Sequence, residues 1–291
     1  MFENFTTQKL RANGVQINTL IGGSGPPLLL LHGYPQSHLI WHRVAPELAK
    51  HYTVVATDLR GYGHSEKPVG LADHSNYSKR EMAKDQVDLM RQLGFASFYL
   101  CGHDRGARVS HRLAVDHPEA VKRVMLLDIS PTLSMYEQTT MDFARSYWWW
   151  FFLIQPTPFP ESMVAAAPDI FLKKKIGWGY GGLSHFTDET YAAYLSCVSD
   201  PATMHGMCED YRAAASIDLE HDRADRAAGK KIECPVNVIW GEHGVVNRCF
   251  KPVEDWQHVA TDVRGRTVPC GHYIPEEVPE ALLAEMMAFF R

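Results

Sequence analysis

Apolar and polar residues follow two different rhythms along this chain. Residues 8–21 alternate about Asn13-Gly14, a dipeptide that tolerates the positive φ angles of a tight turn, and predict a β-hairpin. Pro27 to Leu31 is an unbroken apolar run, which suits a strand buried on both faces of a parallel sheet. A helix is expected near 39–50, then a strand over TVVATD at 53–58. Ser78 and Glu81 form a capping-box pattern that opens a helix running to about Leu93. The strand FYLCG, a helix from about Arg105 to Asp116 and a strand at 121–128 complete this alternation. From about Ser130 to Lys231 clean apolar strands vanish and aromatics, Pro and Gly take over, as in SYWWWFFLIQPTPFP. Strand-like runs resume at 235–241 and 264–269, and an amphipathic helix ends the chain.

Alternating strands and helices with parallel-type strands predict an α/β protein with a mostly parallel, doubly wound sheet. The break in rhythm divides it into a core of residues 1–129 and 232–291 and a mostly helical cap insert at 130–231. Ligands of such sheets sit beyond the carboxyl ends of the strands.

Composition narrows the function classes. With 45% hydrophobic residues over 291 positions, burial can offset the entropy of ordering, so the chain is not disordered. Its formal net charge of −5 offers no global field for nucleic acid or an anionic membrane, so an anionic ligand requires a local cationic site. The six cysteines show neither a C-x-x-C pair nor metal-ligand spacing, and no metal or other cofactor is expected. No signal peptide is visible in MFENFTTQKLRANG, and the apolar run at 147–154 is too short to cross a bilayer, which makes the cytoplasm the expected location.

Gly102-His103-Asp104-Arg105-Gly106 stands between a strand and a helix. Gly-x-nucleophile-x-Gly in that context is a nucleophile elbow. With Asp104 at its centre, the chemistry is carboxylate attack on an electrophilic carbon to give an ester; the bland alternative is Asp104 as a helix N-cap. His32-Gly33-Tyr34-Pro35 follows an earlier strand and is placed to lend the Tyr34 amide to an oxyanion hole, with the Arg105 amide as its second donor. His272, after the last strand, has the position of a general base. Asp128, at the end of the strand 121–128, is the preferred acid to orient it, with Glu242 as fallback. Arg105 and Arg108 lie at the helix N-terminus beside Asp104, where two cations suit a small anionic substrate.

These residues carry a resemblance. LLLLHGYPQ, ATDLRGYGHSEKP, CGHDRGARVSHRLAVDHP, MLLDI, ARSYWWWFFLIQP, CEDYRA and PCGHY resemble the haloacetate (fluoroacetate) dehalogenases of the α/β-hydrolase fold over essentially the whole chain. The resemblance implies that Asp104 displaces halide from the α-carbon, that His272 with Asp128 activates water against the aspartyl ester, and that Arg105 and Arg108 hold the substrate carboxylate. It further implies a halide site at Trp149, Trp150 and Tyr211, and a homodimer. One position departs: the halide-site histidine of the fluoroacetate enzymes falls on Trp149, a bulkier residue that carries no positive charge. Chloroacetate and bromoacetate are therefore expected to react better than fluoroacetate. An epoxide hydrolase, drawing on Tyr147, Tyr180, Tyr191, Tyr194 or Tyr211, and a non-catalytic binding protein of the same fold are the competing functions.

Overall fold

The computed structural model describes residues 1–291. Eight strands form one sheet: β1 (Phe5–Ala12), β2 (Val15–Gly22), β3 (Pro27–Leu31), β4 (Thr53–Thr57), β5 (Phe98–His103), β6 (Val121–Leu127), β7 (Val236–Gly241) and β8 (Val263–Val268). Their order is β1-β2-β4-β3-β5-β6-β7-β8. Only the pairings of β2 are antiparallel. The hairpin turns at Asn13 (φ 46°) and Gly14 (φ 81°), the two left-handed positions that the dipeptide foretold.

Helices that matter here are α1 (Lys79–Gln92), α2 (Arg105–Asp116), α3 (Trp148–Leu153), α4 (Pro168–Ile176), α5 (Asp188–Ser199), α6 (Pro201–Ala214) and α7 (Pro279–Phe289). The Ser78 hydroxyl caps α1 by accepting the Glu81 amide at 3.2 Å. The helix expected over 39–50 is instead two short turns, His38–Trp41 and Ala45–Leu48. Pro46 is the reason: it has no amide hydrogen for a continuous helix and is tolerated only where a helix restarts. No helix is long and apolar enough to cross a membrane.

Leu28, Leu29, Leu30 and Leu31 are all fully buried, because each face of β3 meets its own core. Leu28 and Leu30 pack with Val54, Cys101, Met125 and the α7 residues Leu282 and Met286. Leu29 and Leu31 pack on the opposite side, in a cluster that continues through Leu100 and Leu126 into Phe143, Trp150 and Tyr211. That second core joins the sheet to the segment between β6 and β7, which contains helices, α3 to α6 among them, and no strand.

The strand order also positions chemistry. The chain leaves β3 toward β4 on one side and returns to β5 on the other, so the carboxyl ends of β3 and β5 flank the point where the winding reverses. Loops that part at such a point leave a crevice between them.

Candidate active site

Four strand ends converge at that crevice. Tyr34 follows β3, Asp104 follows β5, Asp128 follows β6 and His272 follows β8. Asp104 has φ 47° and ψ −111°, a backbone conformation that costs a non-glycine residue about 1–3 kcal/mol. The flanking glycines make the turn possible. A Cβ on Gly106 would stand 2.4 Å from the Leu31 carbonyl oxygen, and one on Gly102 would stand 2.5 Å from that of Gly106. Gly33 is pressed equally hard against the elbow, since a Cβ there would meet Asp104 Cβ at 2.5 Å.

The two oxygens of Asp104 are not equivalent. Oδ1 accepts the Tyr34 amide at 2.9 Å. Oδ2 faces His272 Nε2 across 3.9 Å, too far for a hydrogen bond. The second expected oxyanion donor, the Arg105 amide, does not bond the resting carboxylate; only the Tyr34 amide does. Burial opposes ionisation of Asp104, but His272, Arg105 and Arg108 outweigh it and hold its pKa down to about 2. A carboxylate in this state is a nucleophile without any base to deprotonate it.

His272 Nδ1 lies 2.5 Å from Asp128 Oδ2, while Asp128 Oδ1 accepts the Gly241 amide at 2.9 Å. Asp128 is fully buried, whereas Glu242, the fallback acid, is exposed. A Cβ on Gly244 would come within 3.4 Å of Asp128 Oδ1, so an acid on that loop and an acid after β6 would compete for one place. His272 Nε2 is buried and makes no hydrogen bond within the protein. The gap between it and Asp104 has the length of a water-mediated contact. His103, kept neutral by burial with a pKa near 3, steadies this loop through Nε2, 2.8 Å from the His272 carbonyl oxygen.

Arg105 and Arg108 are both buried, but their surroundings differ. Arg105 donates through Nε and Nη2 to the carboxylate of Asp210 on α6, each at 2.8 Å, and its Nη1 stays unpartnered. Arg108 has no carboxylate partner. Nη1 donates to the Ser130 carbonyl and the Thr132 hydroxyl, Nη2 approaches the Met135 sulfur, and Nε is unpartnered. Burial and the nearby Arg105 charge pull the Arg108 pKa down, with Asp104 opposing. A guanidinium stays charged nonetheless, so the site holds a buried cation with no carboxylate bonded to it.

Each guanidinium lies over an aromatic ring from the insertion: Arg105 over Tyr211 at 4.2 Å and Arg108 over Trp150 at 4.7 Å. Trp150 Nε1 is buried and unpartnered. The position of Trp149 calls for a correction. Its indole N–H donates to the Tyr211 hydroxyl at 3.2 Å, so it is not a free donor for an anion. That bond occupies the Tyr211 oxygen and leaves the hydroxyl hydrogen to be donated elsewhere. The indole ring was expected to face a halide, but it lies against the mouth of the crevice, a cavity of about 220 Å³ that it lines with Tyr147, Lys175, His272 and Tyr273.

Two contributors escaped the sequence reading. Asp210 accepts from Arg105, Lys79 and the Tyr62 hydroxyl, and these cations, with burial opposing, hold it far below the ordinary carboxylate range. An acidic doublet, Glu209-Asp210, in a helix otherwise rich in small and apolar residues was the available signal. Lys175 closes the run Lys173-Lys174-Lys175, which reads as a solvated stripe, yet it is only 4% exposed.

Known proteins resemble this chain in sequence and fold. The sequence profile of the alpha/beta hydrolase fold matches residues 26–278. A fluoroacetate dehalogenase from Burkholderia sp. is 47% identical over 281 residues, covering 96% of this chain and 92% of that protein. A soluble epoxide hydrolase from Corynebacterium sp. (strain C12) is 31% identical over 295 residues, covering 100% of this chain and 99% of that protein. The crystal structure of an alpha/beta hydrolase from Nostoc sp. PCC 7120 matches with a TM-score of 0.97 at 50% identity, over 100% of this chain and 99% of that one. The chain belongs to the alpha/beta-hydrolase fold family and, within it, to the haloacetate (fluoroacetate) dehalogenases.

Proposed function

We propose that this hydrolase converts a haloacetate to glycolate and halide through an aspartyl ester, and that chloroacetate and bromoacetate are better substrates than fluoroacetate. The observation that carries the reading is the pair of buried guanidiniums beside an ionised Asp104, each with one unpartnered nitrogen, Arg108 having no carboxylate bonded to it. A substrate carboxylate supplies two acceptor oxygens for these two nitrogens.

With the carboxylate on Arg105 Nη1 and Arg108 Nε, the α-carbon comes to Asp104 Oδ2. That oxygen forms the new C–O bond as the C–X bond breaks, and the halide departs with the bonding pair toward Trp150 Nε1 and the Tyr211 hydroxyl. His272 Nε2 then takes a proton from water, whose oxygen attacks Asp104 Cγ. The negative charge that develops on Oδ1 is met by the Tyr34 amide. Collapse breaks the bond between Cγ and the ester oxygen, which takes the proton back from His272 and leaves as the glycolate hydroxyl, while Asp104 keeps one oxygen from water and loses the remaining proton to solvent.

Fluoride leaves poorly and needs compact, strong donors. Here the donors are neutral, and Trp149 stands where the resemblance places a histidine. Ion-selective measurement of halide release across fluoro-, chloro-, bromo- and iodoacetate, with Asp104→Asn as control, tests the reading. Equal turnover of fluoroacetate and chloroacetate refutes the preference, and no release from any of them refutes the function. Epoxide opening remains a second reading, favoured by the Tyr211 hydroxyl that Trp149 polarises beside the nucleophile. Diol formation from styrene oxide without halide release from haloacetates would establish it instead.

A further inference from the structure

Lys175 takes no part in the reaction above, yet it is built into the passage that leads to it. It ends the last turn of α4 beside Leu172 and Ile176, on the side of the helix that faces inward, while Lys173 and Lys174 are exposed. Its ammonium donates to the Tyr273 hydroxyl at 2.9 Å and lies 4.0 Å from the centre of the Trp149 ring. The rings of Tyr273 and Tyr34 lie at 5.3 and 5.6 Å. It forms no ion pair. Lys175, Trp149, His272 and Tyr273 all line the mouth of the crevice, and the charge of Asp104 reaches the ammonium there.

Every group that faces it is accounted for by chemistry. Tyr273 and Tyr34 offer a hydroxyl and ring faces, and Trp149 a ring face. His185, which stacks on Tyr273 at 5.8 Å, is kept neutral by burial, with a pKa near 4. His103 is likewise neutral and lies behind His272. Asp104 is the one carboxylate whose charge acts on Lys175. Arg248, also at the mouth, is tied to Asp142 at 2.8 Å. A buried ammonium with two hydrogens to spare and no counter-ion recovers lost solvation by meeting an anion.

We propose that Lys175 is a second, transient anion site at the neck of the crevice, which receives the incoming carboxylate and then the departing halide. The identity of these anions rests on the function proposed above; the site itself does not. Lys175 at the neck and Arg108 deeper in the site, neither bonded to a carboxylate, give an anion successive positive charges by which to enter and also leave. Burial lowers the lysine pKa to about 8, with the charge of Asp104 opposing, so the site switches off as pH rises through that value.

The experiment compares the wild type with Lys175→Met and Lys175→Arg at constant ionic strength. Bromide is titrated into the resting enzyme while tryptophan fluorescence is followed, since Trp149 and Trp178 line the mouth. Kinetics with bromoacetate are measured in parallel. In wild type, bromide affinity and kcat/KM should both fall above about pH 8, toward the Lys175→Met level. Lys175→Met should lose about tenfold in each, with the larger change in KM, and show no such pH dependence. Lys175→Arg keeps its charge, so both quantities should hold to about pH 9.5. A purely structural role for Lys175 would not move the alkaline limb in this way. Bromide affinity within twofold of wild type in Lys175→Met, or an unchanged alkaline limb in Lys175→Arg, overturns the proposal. Lys175-dependent bromide binding in a protein that frees no halide from any haloacetate supports the anion site and refutes the dehalogenase reading instead.

Discussion

Replacing His272 by glutamine should split the reaction in two. Displacement of halide needs an ionised Asp104 and an open Oδ2, and His272 touches neither: its Nε2 is 3.9 Å from that oxygen. His272 does contribute to the low pKa of Asp104, but Arg105 and Arg108 lower it too and remain in the variant, so the carboxylate stays ionised at neutral pH. Ester hydrolysis, in contrast, loses the group that takes the proton from water. General-base catalysis of this kind is worth about 10²–10⁴-fold, or about 2.7–5.5 kcal/mol in the barrier. Mixing His272→Gln with excess bromoacetate should therefore release one bromide per chain in a burst and then slow by about that factor. Mass spectrometry of the quenched protein should find one carboxymethyl group on the peptide containing Asp104. Asp128 loses its imidazole partner but keeps the Gly241 amide, so the stability cost is about 1–3 kcal/mol, a few degrees in Tm. A folded variant that gives no burst, or that turns over at the wild-type rate, refutes the assignment of His272 to the second step alone.

Asp210→Asn should cost about 3–5 kcal/mol in urea unfolding, because it strips the counter-charge from buried Arg105 and Lys79. The same variant should raise KM for chloroacetate about tenfold or more, since Arg105 loses the bonds that aim Nη1. Trp149→His should raise fluoride release relative to chloride release by about tenfold, read by ion-selective electrodes, because a charged donor assists the poorer leaving group most. Glu276, in contact with Tyr194 of α5 and with Gln36, has its pKa raised by burial from 4.5 to about 8, against the bonds from those two side chains. A raised carboxyl pKa means that the folded state binds more protons than the unfolded one between these values. Its contribution is present below pH 4.5 and lost as pH climbs toward 8, so Tm of wild type should fall relative to Glu276→Gln from about pH 5 to pH 9.

What the sequence disclosed was local. Asn13-Gly14 announced its hairpin, and Gly102, Gly106 and Gly33 announced the elbow and the loop beside it, because each depends on backbone conformation or close approach within a few residues. Asp128 was preferred over Glu242 because Gly244 fills the usual place of the acid and Asp128 stands at a strand end, and strand ends are what a parallel sheet holds fixed. The insertion was opaque by comparison. Asp210 meets Arg105 across 105 positions in the chain, and no short pattern encodes that meeting. Trp149 lay within the insert expected to be mostly helical, but the direction of its N–H depends on where the Tyr211 hydroxyl comes to rest. Lys175 was hidden by its two solvated neighbours. The helix expected over 39–50 failed for a reason in plain sight, Pro46.

The clamp between Arg105 and Asp210 bears on how this scaffold can be rebuilt. The guanidinium adjoining the reactive oxygen belongs to one part of the chain, and the carboxylate that aims it belongs to the other. A chimera that imports residues 130–231 from a relative lacking the acid would strand a dry, unbalanced charge at the heart of the pocket. Shuffling between members should therefore succeed only when both halves of this electrostatic latch travel together.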